Sequence, residues 1–271
     1  RQHINLIPLP VISRVTATII LLTICAACAS AQLVNVFHEV EYAADGTIPG
    51  YPAGFTTYRI YASLADDTDA LMAVYGADNN PLLMGSDSDD MWNSPLGGAT
   101  ADNLNVFLIG VFPEVAYDSM VTIGRANSVL VGDEAGIQTV TTTGSPFADA
   151  LGAATLGGDL VLTDGTWFTL TTATNTLGTG PDFRVLLGQV TCSGDVEYQL
   201  NVQVNDGGVG GTPLKYVWDQ NAVDDEEVFE CSLQYPVDTP CGGSAPVDGC
   251  MDATACNYDV EATNDDGSCV F

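Results

Sequence analysis

The segment 183-FRVLLGQVTCSGDVEYQLNVQV-204 carries the clearest strand pattern of the chain. In its second half, apolar and polar side chains alternate residue by residue. Because successive side chains of a strand point to opposite faces, this alternation predicts one buried and one hydrated face. Ser193-Gly194-Asp195 predicts a tight turn that joins this strand to a strand at 183–192. The predicted buried positions are Val196, Tyr198, Leu200, Val202 and Val204, and the predicted hydrated ones are Glu197, Gln199, Asn201 and Gln203.

Outward from this segment, short runs of β-forming residues recur between Gly, Pro, Asn and Asp. The run 106–112 is apolar throughout, which predicts a strand covered on both sides or a short core segment. About ten strands in roughly 200 residues predict an all-β fold, a single antiparallel β-sandwich of jelly-roll type over residues 32–235. The other predicted strands are 33–42, 57–64, 71–75, 120–124, 138–143, 160–163 and 167–171.

The N-terminal segment has the composition of an export signal. The apolar run 15–27, VTATIILLTICAA, lies between Arg14 and the small residues Ala29-Ser30-Ala31. This pattern predicts a signal peptide at 1–31, cleaved before Gln32, that is too short to anchor the chain in a bilayer. The alternatives are a lipoprotein signal that uses Cys28 and a buried helix. The mature chain is therefore expected outside the cytoplasm, at the cell surface or beyond, with no transmembrane segment.

The charge is strongly negative, with 35 Asp and Glu against 6 Lys and Arg, a net −29. Such a surface repels nucleic acids and anionic membranes, so neither is expected as a partner. It favours solubility in a salt-rich habitat, where screening makes dense acids tolerable.

The C-terminal segment 249-GCMDATACNYDVEATNDDGSCVF-271 follows a Pro- and Gly-rich linker at 236–248. It has no apolar periodicity, which predicts a small loop module held by disulfides. Its clustered oxygen donors predict calcium as a possible cofactor, although their spacing is not that of an EF-hand. The alternative is an Asx-turn with solvated acids. The predicted ligands are Asn257, Asp259, Glu261, Asp265 and Asp266, and a second, weaker acidic cluster is Asp87, Asp89 and Asp90.

Six cysteines remain after the predicted cleavage, and an even number in an exported chain predicts three disulfides. Zinc is disfavoured, because the mature chain has no C-x-x-C spacing and one histidine, His38. Fifteen connectivities are possible. The favoured pairs are Cys192 with Cys231, Cys241 with Cys250, and Cys256 with Cys269.

The C-terminal pattern resembles a short cysteine repeat found near the C-termini of large secreted and cell-surface proteins of marine Bacteroidota, many of which end in a type IX secretion sorting domain. Residues 45–64, 72–76 and 118–124 resemble a domain of such proteins. The resemblance implies an exported surface protein, of which this chain is a piece that ends in a truncated repeat at 249–271. It implies no activity. The matching residues are Gly249, Cys250, Asp252, Ala255, Cys256, Asn257, Tyr258, Asp259, Ala262, Asp265, Asp266, Gly267, Ser268 and Cys269.

Catalysis finds little support in the sequence. There is no G-x-S-x-G, and His38 lies within a predicted strand, where a surface or core-edge position is expected. The glycines at 207–211 open no helix, so they predict a loop rather than a phosphate site. Abundant acids make any carboxylate pair uninformative for a glycosidase. Trp92 and Trp167 are expected in the core rather than as sugar platforms.

The predicted function is therefore that of a secreted, non-enzymatic structural or adhesive surface module, whose partners are other matrix copies or extracellular glycans. The alternative is a carbohydrate-binding module, or an accessory domain of a secreted polysaccharide hydrolase. An exposed aromatic pair on one sheet face would favour glycans, and an unpaired edge strand would favour assembly.

Overall fold

A computed structural model describes residues 32–152, 156–170, 173–208, 210–223, 226–237, 248–249, 264–265 and 270. All of them belong to one unit of the chain, Ala31–Phe271. The predicted signal peptide at 1–31 lies outside the described residues, as do most of the predicted linker and of the cysteine-rich module.

The described residues are all-β, with two short α-helices and five turns of 3₁₀-helix. The helices are α1 (Val106–Ile109) and α2 (Pro146–Leu151), and the 3₁₀ turns are Ala101–Asn103, Pro113–Tyr117, Thr174–Thr176, Gln220–Ala222 and Cys231–Leu233. The strands are β1 (Leu33–Ala43), β2 (Thr56–Leu64), β3 (Ala70–Tyr75), β4 (Leu82–Ser86), β5 (Met91–Trp92), β6 (Met120–Val121), β7 (Gln138–Thr141), β8 (Leu156–Gly157), β9 (Leu160–Leu162), β10 (Gly165–Phe168), β11 (Arg184–Cys192), β12 (Val196–Gln199), β13 (Asn201–Asp206), β14 (Thr212–Val217), β15 (Glu227–Phe229), β16 (Gln234–Tyr235), β17 (Asp248–Gly249) and β18 (Asn264–Asp265).

Three sheets account for most of these strands. Sheet I has the order β1-β2-β11-β6, sheet II the order β15-β14-β13-β3-β10-β7, and sheet III the order β16-β12-β4-β9. Two-stranded pairs, β5 with β8 and β17 with β18, complete the described pairings. Neighbouring strands are antiparallel except for β14 with β15 and β17 with β18, which run parallel.

One cluster of buried side chains connects the three sheets. Ile60 enters it from sheet I, Val202 from sheet II and Tyr198 from sheet III. Trp167 of β10 is fully buried in the same cluster, where its indole N–H donates to the Thr122 carbonyl at 3.0 Å. The polar atom of this large side chain is therefore satisfied, as burial requires.

The chain between 183 and 204 departs from its prediction in one respect. Strand β11 pairs with β2 and β6, whereas β12 pairs with β4 and β16. The predicted hairpin is therefore wrong, and Ser193–Asp195 carries the chain from sheet I to sheet III. The reason lies in the loop between β4 and β5, where Asp87 accepts the Asp195 N–H at 3.0 Å and Asp90 accepts the Ser193 N–H at 3.2 Å.

The alternation in the second half of this segment is confirmed on its apolar side, since all five predicted core residues are at most 2% exposed. The predicted single strand is instead two strands, because Leu200 separates β12 from β13. Asn201 is buried rather than hydrated. Its amide donates to the carbonyls of Tyr75 (3.0 Å) and Asn80 (2.8 Å), at the point where the chain passes from sheet III to sheet II.

The prediction of a covered strand at 106–112 is wrong. These residues form α1 and the turn after it, with Phe107 83% and Val111 68% exposed. The Asn105 side chain accepts the Phe107 N–H at 2.9 Å, which caps the start of the helix. In the part of the chain that the structure describes, no helix has the length and apolar character to cross a membrane.

Candidate functional site

A groove of about 600 Å³ lies on one face of sheet II. We call it the sheet-face groove. Two aromatic rings, several amide and hydroxyl side chains and one residue of each charge line it. They include Ala73, Tyr75, Phe168, Gln203, Asn205, Lys215 and Glu227.

Strand alternation produces this groove. In β3, Val74 is fully buried in the core cluster, so its neighbours Ala73 and Tyr75 lie on the opposite face. In β13, Val202 and Val204 are buried in the same way, which places Gln203 on the groove side.

Strand register aligns five of the lining residues in one row across the sheet. Glu227 of β15 is opposite Lys215 of β14, which is opposite Gln203 of β13. Gln203 is opposite Ala73 of β3, which is opposite Phe168 of β10. At the usual spacing of neighbouring strands, this row spans about 19 Å. Ala73, the fourth of these five residues, has a short side chain, which leaves a depression between Gln203 and Phe168.

Lys215 differs from the arginines of the described chain. It is the one lysine of the sequence. Arg59, Arg125 and Arg184 each form an ion pair with a carboxylate. Among the described residues, no carboxylate lies within ion-pair distance of the Lys215 ammonium.

The described residues that line the groove include one cation, Lys215, and one anion, Glu227, although the whole chain has a net charge of −29. The Glu227 carboxylate accepts the Tyr75 hydroxyl at 3.2 Å, which orients both groups along one wall. Thr166 lies beside Tyr75 on the neighbouring strand β10, and its hydroxyl donates to the Val74 carbonyl at 2.9 Å.

This arrangement can bind a polyhydroxyl ligand. Aromatic side chains offer apolar faces against which the C–H face of a sugar ring can pack. The amides of Gln203 and Asn205, the Lys215 ammonium and the Glu227 carboxylate together provide both donors and acceptors for hydroxyl groups. Apolar walls with a few convergent polar groups are typical of ligand sites.

The two tryptophans considered as sugar platforms lie in the core, as expected, with Trp167 fully buried and Trp92 5% exposed. The aromatic residues of the groove, Tyr75 and Phe168, were not singled out from the sequence. Each lies next to a buried residue within a predicted strand, so the alternation of side chains along the strand could have predicted its outward position.

Sheet I carries a second aromatic pair. The rings of Phe37 and Tyr61 are stacked with centroids 5.7 Å apart and planes at 23°. The Arg184 guanidinium lies 5.1 Å from both centroids and is held by Glu39 and Asp182. Because a cation already packs against these rings, the pair is a weaker candidate for a sugar than the sheet-face groove.

The acids at 87–90 connect loops. Asp90 accepts hydrogen bonds from the hydroxyls of Ser88 and Ser193, and Asp89 accepts the Asp159 N–H at 3.0 Å. No group of three or more His, Cys, Asp or Glu side chains suited to a metal occurs among the described residues. The second acidic cluster therefore gains no support as a calcium site.

The predicted calcium ligands of the C-terminal module cannot be compared with the structure. Asn257, Asp259, Glu261 and Asp266 lie outside the described residues. The backbone of Asp265 belongs to β18, where it pairs with Gly249. The cysteines Cys241, Cys250, Cys256 and Cys269 also lie outside the described residues, so their pairing and the calcium site stay predictions.

The predicted Cys192–Cys231 disulfide is wrong. Cys192 is a free thiol, fully buried in the core cluster, and its Sγ donates to the Gly194 carbonyl at 3.3 Å. Burial raises the pKa of this thiol to about 12. Cys231 is disulfide-bonded, but not to Cys192. The prediction that no mature cysteine is free is wrong for the same reason.

His38 occupies the expected core-edge position in β1. Its ring packs edge-on against Tyr235, with centroids 4.4 Å apart, and also contacts Tyr58 and Tyr198. Burial lowers its pKa, and the Asp195 carboxylate opposes this shift. Its Nδ1 atom is buried without a hydrogen-bond partner among the described residues.

The chain matches no protein-family model, no curated protein and no solved structure.

Proposed function

We propose that this chain is an exported, non-enzymatic adhesion module that binds extracellular glycans through the sheet-face groove. The observation that carries this proposal is the row of Glu227, Lys215, Gln203, Ala73 and Phe168 across sheet II, with Tyr75 beside it. Within the predicted class of structural or adhesive surface proteins, the groove favours adhesion to a glycan.

Some side chains of the groove make apolar contacts with a sugar, and others make hydrogen bonds to it. Phe168 and Tyr75 contribute apolar contact, which is the main favourable term for a ring with one C–H face. Gln203 and Asn205 contribute amide donors and acceptors, and the Gln203 amide already donates to Asn205 at 3.4 Å. Ligand hydroxyls can replace this long contact with shorter hydrogen bonds.

The test is a glycan array probed with the purified chain, followed by calorimetry on the glycans that bind. Phe168→Ala should weaken binding by about 3- to 10-fold, because an aromatic contact contributes about 0.5–1.5 kcal/mol beyond its buried area. Phe107→Ala is the matched control, since Phe107 is 83% exposed and outside the groove. Absence of any glycan that binds, or equal losses in both variants, would contradict the proposal.

A second candidate function is assembly through sheet I. Strand β1 is eleven residues long and, among the described strands, pairs with β2 alone. An unpaired strand edge can accept a strand from another copy. The start of this edge is covered, because the Val36 N–H donates to the Ser232 hydroxyl at 2.9 Å, whereas Val40 in its second half is 59% exposed.

Light scattering over a concentration series tests assembly. If β1 joins copies, Val40→Lys should shift the equilibrium toward monomer, because Val40 is 59% exposed and a charge on an edge strand opposes pairing. Val161→Lys, at a 49% exposed position in sheet III, is the control. A wild-type chain that is monomeric at every concentration excludes this function.

The remaining architecture is part of the proposal. The sheets pack as a jelly-roll sandwich, residues 1–31 direct export, and 249–271 form a disulfide-stapled loop module that binds calcium through Asn257, Asp259, Glu261, Asp265 and Asp266.

Calcium accepts irregular oxygen shells that magnesium does not. Calorimetry of the full chain should show a larger stabilisation by Ca²⁺ than by Mg²⁺, which is lost in Asp265→Asn/Asp266→Asn. Equal responses would contradict calcium binding.

A further inference from the structure

We infer that the sheet-face groove takes an internal segment of a neutral oligosaccharide chain, which lies across the strands of sheet II. The inference rests on the proposed glycan-binding function and names the class of glycan. Three features of the groove carry it: the length of its row of side chains, its charge balance and the depression at Ala73.

The length of the row favours a chain over a single sugar. From Glu227 to Phe168 the register crosses four strand spacings, about 19 Å. The row lies on the face of the sheet, with Ala73 and Gln203 in the middles of β3 and β13, and it extends to Glu227 of the outermost strand β15. A ligand that contacts both Lys215 and Phe168 must therefore be longer than a monosaccharide.

The charge balance favours a neutral ligand over an acidic one. Lys215 and Glu227 are directly opposite on neighbouring strands, about 5 Å apart at the backbone. A carboxylate or sulfate brought to Lys215 would also approach the Glu227 carboxylate and would face the net charge of −29. A hydroxyl group can instead accept from the Lys215 ammonium and donate to the Glu227 carboxylate at the same time.

The depression at Ala73 gives the groove a position at which shape selects the ligand. Its neighbours in the row, Gln203 and Phe168, have long side chains, and Tyr75 lies two residues further along the same strand. A larger residue at position 73 would fill the floor between them without touching the core, because Ala73 is on the face opposite Val74. Ala73 therefore determines how closely a sugar ring approaches the sheet.

The experiment uses an array of neutral and uronic-acid oligosaccharides, each from one to six units, with calorimetry at 50 and 500 mM NaCl. Neutral glycans should bind, with an affinity that rises at least about 10-fold from the monosaccharide to the tetrasaccharide and changes less than about 2-fold with salt. Tighter binding of uronic-acid chains, or equal affinity for one unit and four, overturns the inference while glycan binding stands. No binding to any glycan overturns the proposed function as well.

Two variants locate the segment on the protein. Ala73→Leu should lower the affinity for the tetrasaccharide at least about 10-fold, and Val161→Leu, an exposed position of sheet III, should not change it. Circular dichroism melting of both variants separates lost binding from lost folding. If folded Ala73→Leu binds the tetrasaccharide like the wild type, the ligand does not cross the row and the inference is wrong.

Discussion

Asp118 is a single carboxylate that holds a loop of the described chain in place. It is fully buried and accepts the backbone N–H groups of Ser94 at 2.6 Å and Gly98 at 2.7 Å. Glycine at position 97 permits this approach, because a Cβ atom there would lie 1.8 Å from the carboxylate. Burial raises the pKa of Asp118 to about 7, against the opposing effect of the N–H donors.

We predict that Asp118→Asn lowers the free energy of unfolding by about 1–3 kcal/mol at pH 8, because the amide NH₂ places a donor against a backbone donor. The cost should be larger at pH 5, because the raised pKa of Asp118 means that the wild-type fold gains stability as the pH falls through about 7, whereas the asparagine variant does not titrate. Urea unfolding at both pH values measures this. Asp149→Asn, on the exposed side of α2, is the control and should have no effect. An equal cost at both pH values would show that the pKa of Asp118 is not raised in the folded chain.

His38 predicts a pH dependence of stability. Burial lowers its pKa in the folded chain, so the unfolded chain binds the proton more readily. The contribution of neutral His38 to the free energy of unfolding is therefore complete above the unfolded pKa of about 6.5. It is lost as the pH falls below that value. Between pH 8 and pH 5 the wild type should lose more stability than His38→Gln. Parallel pH profiles of the two chains would show that His38 does not sense the pH in this way.

At the scale of elements, alternation predicted where strands lie but not which strands pair. Strand β11 is buried at eight of its nine positions. When a strand is buried on both faces, its sequence has no alternation that indicates its register or its neighbouring strand. The hairpin was therefore predicted from the turn at 193–195 alone. The direction of that turn is decided by hydrogen bonds that its backbone N–H groups donate to the carboxylates of Asp87 and Asp90, which are over a hundred residues distant in sequence.

The run 106–112 shows that apolar composition does not by itself predict burial. Its apolar composition predicted burial, yet Phe107 and Val111 are among the most exposed apolar residues of the described chain. Composition reports the free energy gained by burial but not whether another element is present to cover the segment. The capping asparagine, Asn105, was the one local signal that a helical turn would begin here.

One arginine holds the segment 122–137 in place through hydrogen bonds to its backbone carbonyls. The Arg125 guanidinium, 2% exposed, pairs with Asp102 and donates to the carbonyls of Asn127 (2.9 Å) and Ala135 (3.2 Å). We predict that Arg125→Met lowers the free energy of unfolding by about 3 kcal/mol, because it leaves these acceptors without their donor. Chemical denaturation measures the loss.

Arg184→Met is the matched control for that variant. Arg184 is 32% exposed and pairs with Glu39 and Asp182 at the surface. Exposed ion pairs contribute about 0–1 kcal/mol, so this variant should differ little from the wild type. Equal losses in the two variants would mean that exposure does not distinguish the two ion pairs.

At the scale of the whole molecule, the sheet-face groove could not be predicted from the sequence. Its row joins residues of five strands, from Ala73 to Glu227, and their alignment depends on four separate registers. A slip of one residue in any strand would turn its side chain away from the groove. The sequence predicted a strand at 71–75, which is a necessary but not a sufficient condition for the site.

The free thiol of Cys192 offers a probe of the whole fold. It is fully buried in the cluster that connects the three sheets, and burial raises its pKa to about 12. The reactive thiolate is therefore scarce and shielded in the native chain. We predict that a thiol reagent leaves Cys192 unlabelled without denaturant and labels it fully in the unfolded chain.

Mass spectrometry of the peptide that contains Cys192, over a urea series, measures this protection. If the three sheets share one cooperative core, labelling should follow the loss of circular dichroism with the same midpoint. A labelling midpoint at clearly lower urea would mean that the end of β11 opens separately, before sheets II and III unfold. Rapid labelling in the native state would place the thiol at the surface and contradict its burial.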